Sequence, residues 1–102
     1  MNKTIKARWL RALRSDKFKQ GREQLRDGDR FCCLGVLCEL AERSGVIESY
    51  KGNYLPADVV TWAGVPNNDP IVLGRALADR NDGVEGRPQN FKQIANLIER
   101  HL

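Results

Sequence analysis

The sequence predicts a single α+β domain: a central buried helix, amphipathic helices at both ends, and a few short strands or hairpins between them. Three observations carry that prediction. Residues 31–41, Phe-Cys-Cys-Leu-Gly-Val-Leu-Cys-Glu-Leu-Ala, hold one charge in a chain that is 29% charged, so the rest of the domain must enclose them. The two ends of the chain repeat apolar residues at helical spacing. The stretches between are divided by Gly and Pro into pieces too short for helices of comparable length. A chain of 102 residues has room for one modest core, and folding buries about 65% of its surface.

Taken in order, residues 3–14 read as an amphipathic helix, with Ile5, Trp9, Ala12 and Leu13 on one side and Lys3, Arg11 and Arg14 on the other. Trp9 is expected to anchor the core. Residues 15–30 are polar and contain Gln20-Gly21 and Asp27-Gly28, which suits an extended excursion or a hairpin turning at Asp27-Gly28. Residues 32–43 form the central helix, with Arg43 in its last turn and Ser44-Gly45 ending it. Gly35 inside that helix costs about 1 kcal/mol relative to Ala, which makes sense where another element crosses closely.

Val46-Ile47 and Tyr54-Leu55 flank a Lys51-Gly52-Asn53 turn and are expected to pair as short strands. Pro56 opens a short helix through Trp62, stopped by Gly64 and Pro66. Ile71-Val72-Leu73 and Ala76-Leu77-Ala78, broken by Gly74, read as strand or irregular structure. Asn81-Asp82-Gly83 and Gly86-Arg87-Pro88 then read as a turn-rich crossing. Phe91, Ile94, Ala95, Ile98 and Leu102 form the stripe of a last helix that starts near Gln89 or Asn90.

Charge divides the chain. Residues 1–30 carry a net +6 and residues 31–102 a net −2, so the positive field belongs to the first third and an anionic partner is expected there. The first residues have no apolar run behind their charges, so neither a signal peptide nor a membrane span is expected, and the cytosol is the expected compartment. Three Cys, two of them adjacent, suit reduced, buried small hydrophobes better than a disulfide framework. Zinc is not expected: there is no C-x-x-C pair, His101 is the one His, and Cys33 and Cys38 diverge by about 140° on a helix.

Catalysis finds thin support, since no base accompanies the Cys residues and no phosphate-cradling glycine motif occurs. Asp79 and Asp82 flank Asn81, but turn chemistry explains that composition. Binding is better supported. Lys17, Lys19, Arg22, Arg26 and Arg30 surround Gln20-Gly21, where a glycine lets a ligand approach the backbone and Arg offers forked donors matched to phosphate. Lys19, Gln20, Gly21, Arg22, Arg26 and Arg30 are therefore the candidate ligand-binding residues, with Tyr54 as a stacking partner for a base; no catalytic or metal-binding residue and no cofactor is expected. A solvated basic face that keeps the domain soluble is the plainer alternative.

The string Phe31-Cys32-Cys33-Leu34-Gly35-Val36-Leu37-Cys38 resembles the core of a group of small uncharacterised bacteriophage and prophage proteins. Trp9, Ala12-Leu13-Arg14-Ser15, Lys19-Gln20-Gly21, Tyr54-Leu55-Pro56, Trp62-Ala63-Gly64, Asn81-Asp82 and the final helix extend the likeness over nearly the whole chain. The chain departs from the group at Gly83–Pro88, where similar proteins have a plain hairpin. The resemblance implies a phage accessory protein acting in the cytoplasm of a bacterial host by stoichiometric binding. Three readings follow. The first is a non-enzymatic counter-defence protein that sequesters an anionic, nucleotide-like immune signal. The second is an inhibitor, anti-CRISPR-like, that docks its basic face onto a host protein. The third is a weak, salt-sensitive nucleic-acid binder. A homodimer is expected, because Trp9, Trp62, Tyr50 and Tyr54 exceed what one small core needs.

Overall fold

The computed structural model describes residues 1–102 as one α+β domain of five helices and two small sheets. Helix α1 (Lys3–Arg14) starts at Asn2, whose side chain accepts the Ile5 N–H at 3.0 Å, and buries Ile5, Trp9, Leu10 and Leu13. Helix α2 (Cys33–Arg43) is the hub, with every residue from Cys33 to Glu39 buried, and α1, α3 (Ala57–Ala63) and α4 (Leu77–Asp82) pack around it. Helix α5 (Phe91–His101) lies against α1 and starts with a reciprocal cap between Asn90 and Gln93. Trp9 is fully buried, and its indole N–H donates to the Cys33 carbonyl at 3.0 Å, tying α1 to the first turn of α2. Cys32, Cys33 and Cys38 are free and buried.

The polar stretch between α1 and α2 wraps the hub. Strand β1 (Lys19–Gln20) runs parallel to β3 (Arg30–Phe31), which pairs antiparallel with β2 (Arg26–Asp27). The β2–β3 turn occupies Gly28 and Asp29, beside the expected Asp27-Gly28 position, and Gly28 takes a φ of +62°. The parallel β1–β3 pair has no local signal, because its partners are eleven residues apart and joined only by tertiary structure.

Gly35 meets the crossing its sequence context predicts. A Cβ at residue 35 would overlap the Leu25 carbonyl oxygen and lie 2.6 Å from the Leu25 carbonyl carbon. That oxygen also accepts the Cys32 N–H at 3.2 Å, while the Leu25 side chain is fully buried. The 15–32 excursion is thus pinned to the start of α2 by close backbone contact at Leu25.

Three local readings are corrected. Val46-Ile47 and Tyr54-Leu55 do not pair as strands, because their backbone donors go elsewhere: Val46 N–H to Ala41 O at 2.9 Å and Leu55 N–H to Asn68 O at 3.0 Å. The Gly52 carbonyl between them accepts from Leu25 N–H at 2.8 Å. Asn81 and Asp82 are not a turn but the end of α4, which closes at Gly83 with a φ of +83°. Ala76-Leu77-Ala78 is not one strand piece either. Strand β4 (Ile71–Val72) pairs with β5 (Arg75–Ala76), and Leu77 then begins α4, its N–H bonded to Pro70 O at 3.0 Å. The following Gly83–Pro88 loop is organised by Arg75, whose guanidinium donates to the carbonyls of Val84 (3.0 Å), Arg87 (3.0 Å) and Asp79 (3.1 Å).

The aromatic excess that motivated a dimer is mostly absorbed within one chain. Trp9 is core, Trp62 is half-buried beneath Arg8, and the Tyr50 hydroxyl donates to Glu39 at 2.8 Å. No helix is long and apolar enough to cross a membrane.

The Gly35 crossing makes a direct prediction. Gly35→Ala gains helix propensity of about 1 kcal/mol but forces backbone apart, so the net effect in denaturant unfolding is destabilisation by about 3 kcal/mol. An unchanged midpoint would show that the crossing yields freely.

Candidate ligand-binding face around Phe18

Most of the basic side chains singled out in the 19–30 segment bond to their own protein. Lys19 pairs with Asp29 at 3.1 Å, and Arg30 Nη1 reaches the Gln20 carbonyl at 3.4 Å. Arg22 Nη1 donates to the Asn81 carbonyl at 2.6 Å, capping the end of α4. Arg26 donates to Gly28 O at 2.8 Å and lies 3.5 Å from Glu39. The Gln20 amide donates to Asn81 Oδ1 at 2.9 Å and Gln89 O at 2.8 Å. Gly21 is pressed against the strand beside it, with a would-be Cβ 2.8 Å from Arg30 Cβ.

Asn81 explains much of this arrangement. It is fully buried, its Oδ1 also accepts the Cys33 N–H at 3.1 Å, and its Nδ2 donates to Gly21 O and Asp82 Oδ1, both at 2.8 Å. One amide thus joins α4, β1 and the N-terminus of α2, and every buried side-chain nitrogen and oxygen has a partner. Lys19, Gln20, Gly21 and Arg30 share the β1–β3 pair, whereas Arg22 turns to α4 and Arg26 to Glu39.

Tyr54 stands apart from them, 56% exposed, on a cavity of about 90 Å³ whose charged lining residues are Glu23, Asp69, Asp79 and Asp82. None of these four carboxylates enters an ion pair. Burial, aided by the charges of Asp79 and Asp82, pushes the Asp69 carboxyl up despite its bond from Ala78 N–H. Cys32 also lines this cavity, but burial raises its thiol to about 11, which keeps it protonated and a poor nucleophile. No group of three or more His, Cys, Asp and Glu is arranged to hold a metal ion.

On the α1 side, aromatic and guanidinium groups alternate. The Arg43 guanidinium lies over the Phe18 ring at 5.4 Å, Phe18 meets Phe31 edge to face at 5.2 Å, and Arg26 lies over Phe31 at 4.9 Å. Glu39 joins the two ends, its Oε2 3.0 Å from Arg43 Nε and its Oε1 facing Arg26 and the Tyr50 hydroxyl. Burial alone pushes the Glu39 carboxyl up, but hydrogen bonds from Tyr50 and Arg43 and the two Arg charges outweigh it and hold it below its ordinary value. Burial and the Glu39 bond in turn push the Tyr50 hydroxyl up.

Phe18 separates two open cavities. One, of about 190 Å³, is lined by Arg8, Arg11, Lys17, Ala12, Ser15 and Leu40 in addition to Phe18. Arg8 is held by Ser44 Oγ at 2.9 Å, while Arg11 and Lys17 donate no side-chain hydrogen bond and form no ion pair. The other, of about 310 Å³, is lined by Leu13, Asp16, Gln20, Asn90, Phe91 and Lys92 with Phe18. Phe18 and Arg11 were not among the candidates read from the sequence. The available signal was one aromatic between Lys17 and Lys19 in an otherwise polar stretch, together with the outer face of a basic helix.

A family model described as a domain of unknown function, DUF8296, matches residues 1–102. The chain belongs to that family. Comparison with curated proteins and with solved structures finds no match.

Two substitutions test the electrostatics. Because the folded pKa of Glu39 is depressed, its contribution is present above the unfolded value of about 4.3 and is lost as pH falls through the folded value. Glu39→Gln should therefore lower the melting temperature at pH 7 and flatten its fall between about pH 5 and 3; a parallel pH profile would refute the assignment. Asp69 has the opposite sign. Its raised folded pKa makes the ionised form a burden at neutrality, so Asp69→Asn, which keeps the acceptor for Ala78 N–H, should raise the melting temperature at pH 7. That gain should vanish below the unfolded value of about 3.9, and a loss at pH 7 would contradict it.

Proposed function

We propose that this protein is a non-enzymatic binding protein that captures an anionic, nucleotide-like ligand on the face around Phe18. The observation that carries this reading is the cavity of about 190 Å³ where Arg8, Arg11 and Lys17 gather at a half-buried aromatic ring. Arg11 and Lys17 have no internal anion to neutralise them, in contrast to Lys19 and Arg26, which pair with Asp29 and Glu39. Convergent cations beside a π-face are the complement of a phosphate joined to a heterocycle. Capture without turnover is supported by the cysteines, whose thiols burial raises, to about 11 for Cys32 and about 12 for Cys38.

This reading moves the ligand contacts from the β1–β3 segment toward the end of α1. Arg22, Arg26 and Arg30 act in it chiefly as structural staples, and Tyr54 has no part. The resemblance to phage and prophage proteins extends the reading to counter-defence, with a host nucleotide signal as the ligand held out of circulation. One observation favours a second reading, inhibition of a host protein through an acidic surface. The cavity is open and falls below the roughly 300–1,000 Å³ of enclosed small-molecule sites, whereas a docked protein surface needs no enclosure.

Thermal-shift titration with linear and cyclic nucleotides, comparing the wild type with an Arg11→Glu/Lys17→Glu variant, tests the proposal. A ligand at one hundred times its Kd stabilises by about 2.7 kcal/mol, a shift of about 10 °C for a domain of this size. We expect a wild-type shift that the variant loses while its own melting temperature changes by less than about 3 °C, since both residues are exposed and unpaired. Equal binding by the variant, or no wild-type shift with any nucleotide, would overturn it.

A further inference from the structure

We propose that the two cavities flanking Phe18 are the two halves of one nucleotide site, with phosphate on the Arg11–Lys17 side and sugar and base on the Asp16 side. This rests on the reading that the Phe18 face binds an anionic ligand. The two cavities share Phe18 as a wall, and the backbone divides them: Asp16 lines one, Lys17 the other, and Phe18 both. Three consecutive residues thus deliver a carboxylate, an ammonium and a ring to successive positions across a single surface.

The two halves differ in charge as the two ends of a nucleotide do. The phosphate half holds three cations and no carboxylate. The other half holds one of each, Asp16 and Lys92, 4.0 Å apart at the start of α5. Its Asp16 carboxylate repels a phosphate but accepts hydrogen bonds from sugar hydroxyls or a base amine. Leu13 and Phe91 form the buried apolar floor of this half, and half-buried Phe18 is its exposed ring.

Asp16 follows the α1 C-cap Ser15 at a φ of +62°, a left-handed position that ends the helix and that Asp tolerates. Its side chain is 85% exposed and its one ion-pair contact lies at 4.0 Å, so the carboxylate stands open at this cavity. Size agrees with a joint site: the Asp16 half, at about 310 Å³, only reaches the lower end of small-molecule sites, and the phosphate half falls short of it. A linear 5′-phosphorylated nucleotide separates its anionic and heterocyclic ends across Phe18, which a cyclic dinucleotide does not.

Isothermal titration of the full chain with the four ribonucleoside triphosphates and with tripolyphosphate tests this, using wild type, Asp16→Asn and Phe18→Leu. Asn tolerates the left-handed conformation, so Asp16→Asn should keep the fold. We expect at least one nucleoside triphosphate to bind about tenfold tighter than tripolyphosphate in the wild type. Asp16→Asn should erase that preference by tightening tripolyphosphate and weakening the nucleotide, and Phe18→Leu should erase it by weakening the nucleotide alone. Tripolyphosphate binding as tightly as every nucleotide, or a preference that survives both substitutions, would overturn the joint site and leave anion binding standing. No binding of any probe would overturn the joint site, and together with no thermal shift from any cyclic nucleotide it would overturn the proposed function as well.

Discussion

The passage of the Leu25 backbone over Gly35 is the constraint on which the rest of the molecule depends. Only the absence of a Cβ lets the carbonyl of one segment sit against the first turn of α2. From that contact the 15–32 excursion acquires a fixed position, which places Phe31 on the hub, Phe18 against Phe31, and the β1–β3 pair beside α4. The Asn81 amide then joins the pieces that this crossing brings together. A buried amide is costly when half-satisfied, so its bonds to Gln20, Gly21 and Cys33 act as a check on assembly as well as a source of stability.

These two devices account for the fate of the basic segment. A stretch that supplies a parallel strand and caps a neighbouring helix needs donors, and Arg22, Arg26 and Arg30 supply them to carbonyls at Asn81, Gly28 and Gln20. The charge left unspent gathers at the end of α1, where Arg11 and Lys17 face solvent next to Phe18. There the C-terminus of α1, the negative pole of the helix, stabilises these cations. Glu39 sets the boundary of that face by holding Arg43 over the Phe18 ring.

The Tyr54 cavity is the electrostatic counterpart. Four carboxylates with no paired cation lie in a chain with net charge +4, so the surface is strongly polarised despite its modest total.

Local pattern by itself determined the three main helices, the end of the central one at Ser44-Gly45, the start of the last one at Gln89 or Asn90, the burial of Trp9 and the three Cys, and the need for something to cross at Gly35. All of these follow from apolar spacing and from the steric demands of single residues, which are local. Only the tertiary structure decided what crosses Gly35, that Asn81 ends a helix instead of making a turn, and that 46–55 forms no strand pair, because each depends on a partner distant in sequence. The candidate site divides in the same way. The clustering of cations in the first third of the chain was legible as charge. Which cations remain free was not, because a side chain's availability depends on the carbonyl or carboxylate that folding brings to it, as Asn81 O is brought to Arg22 and Glu39 to Arg26.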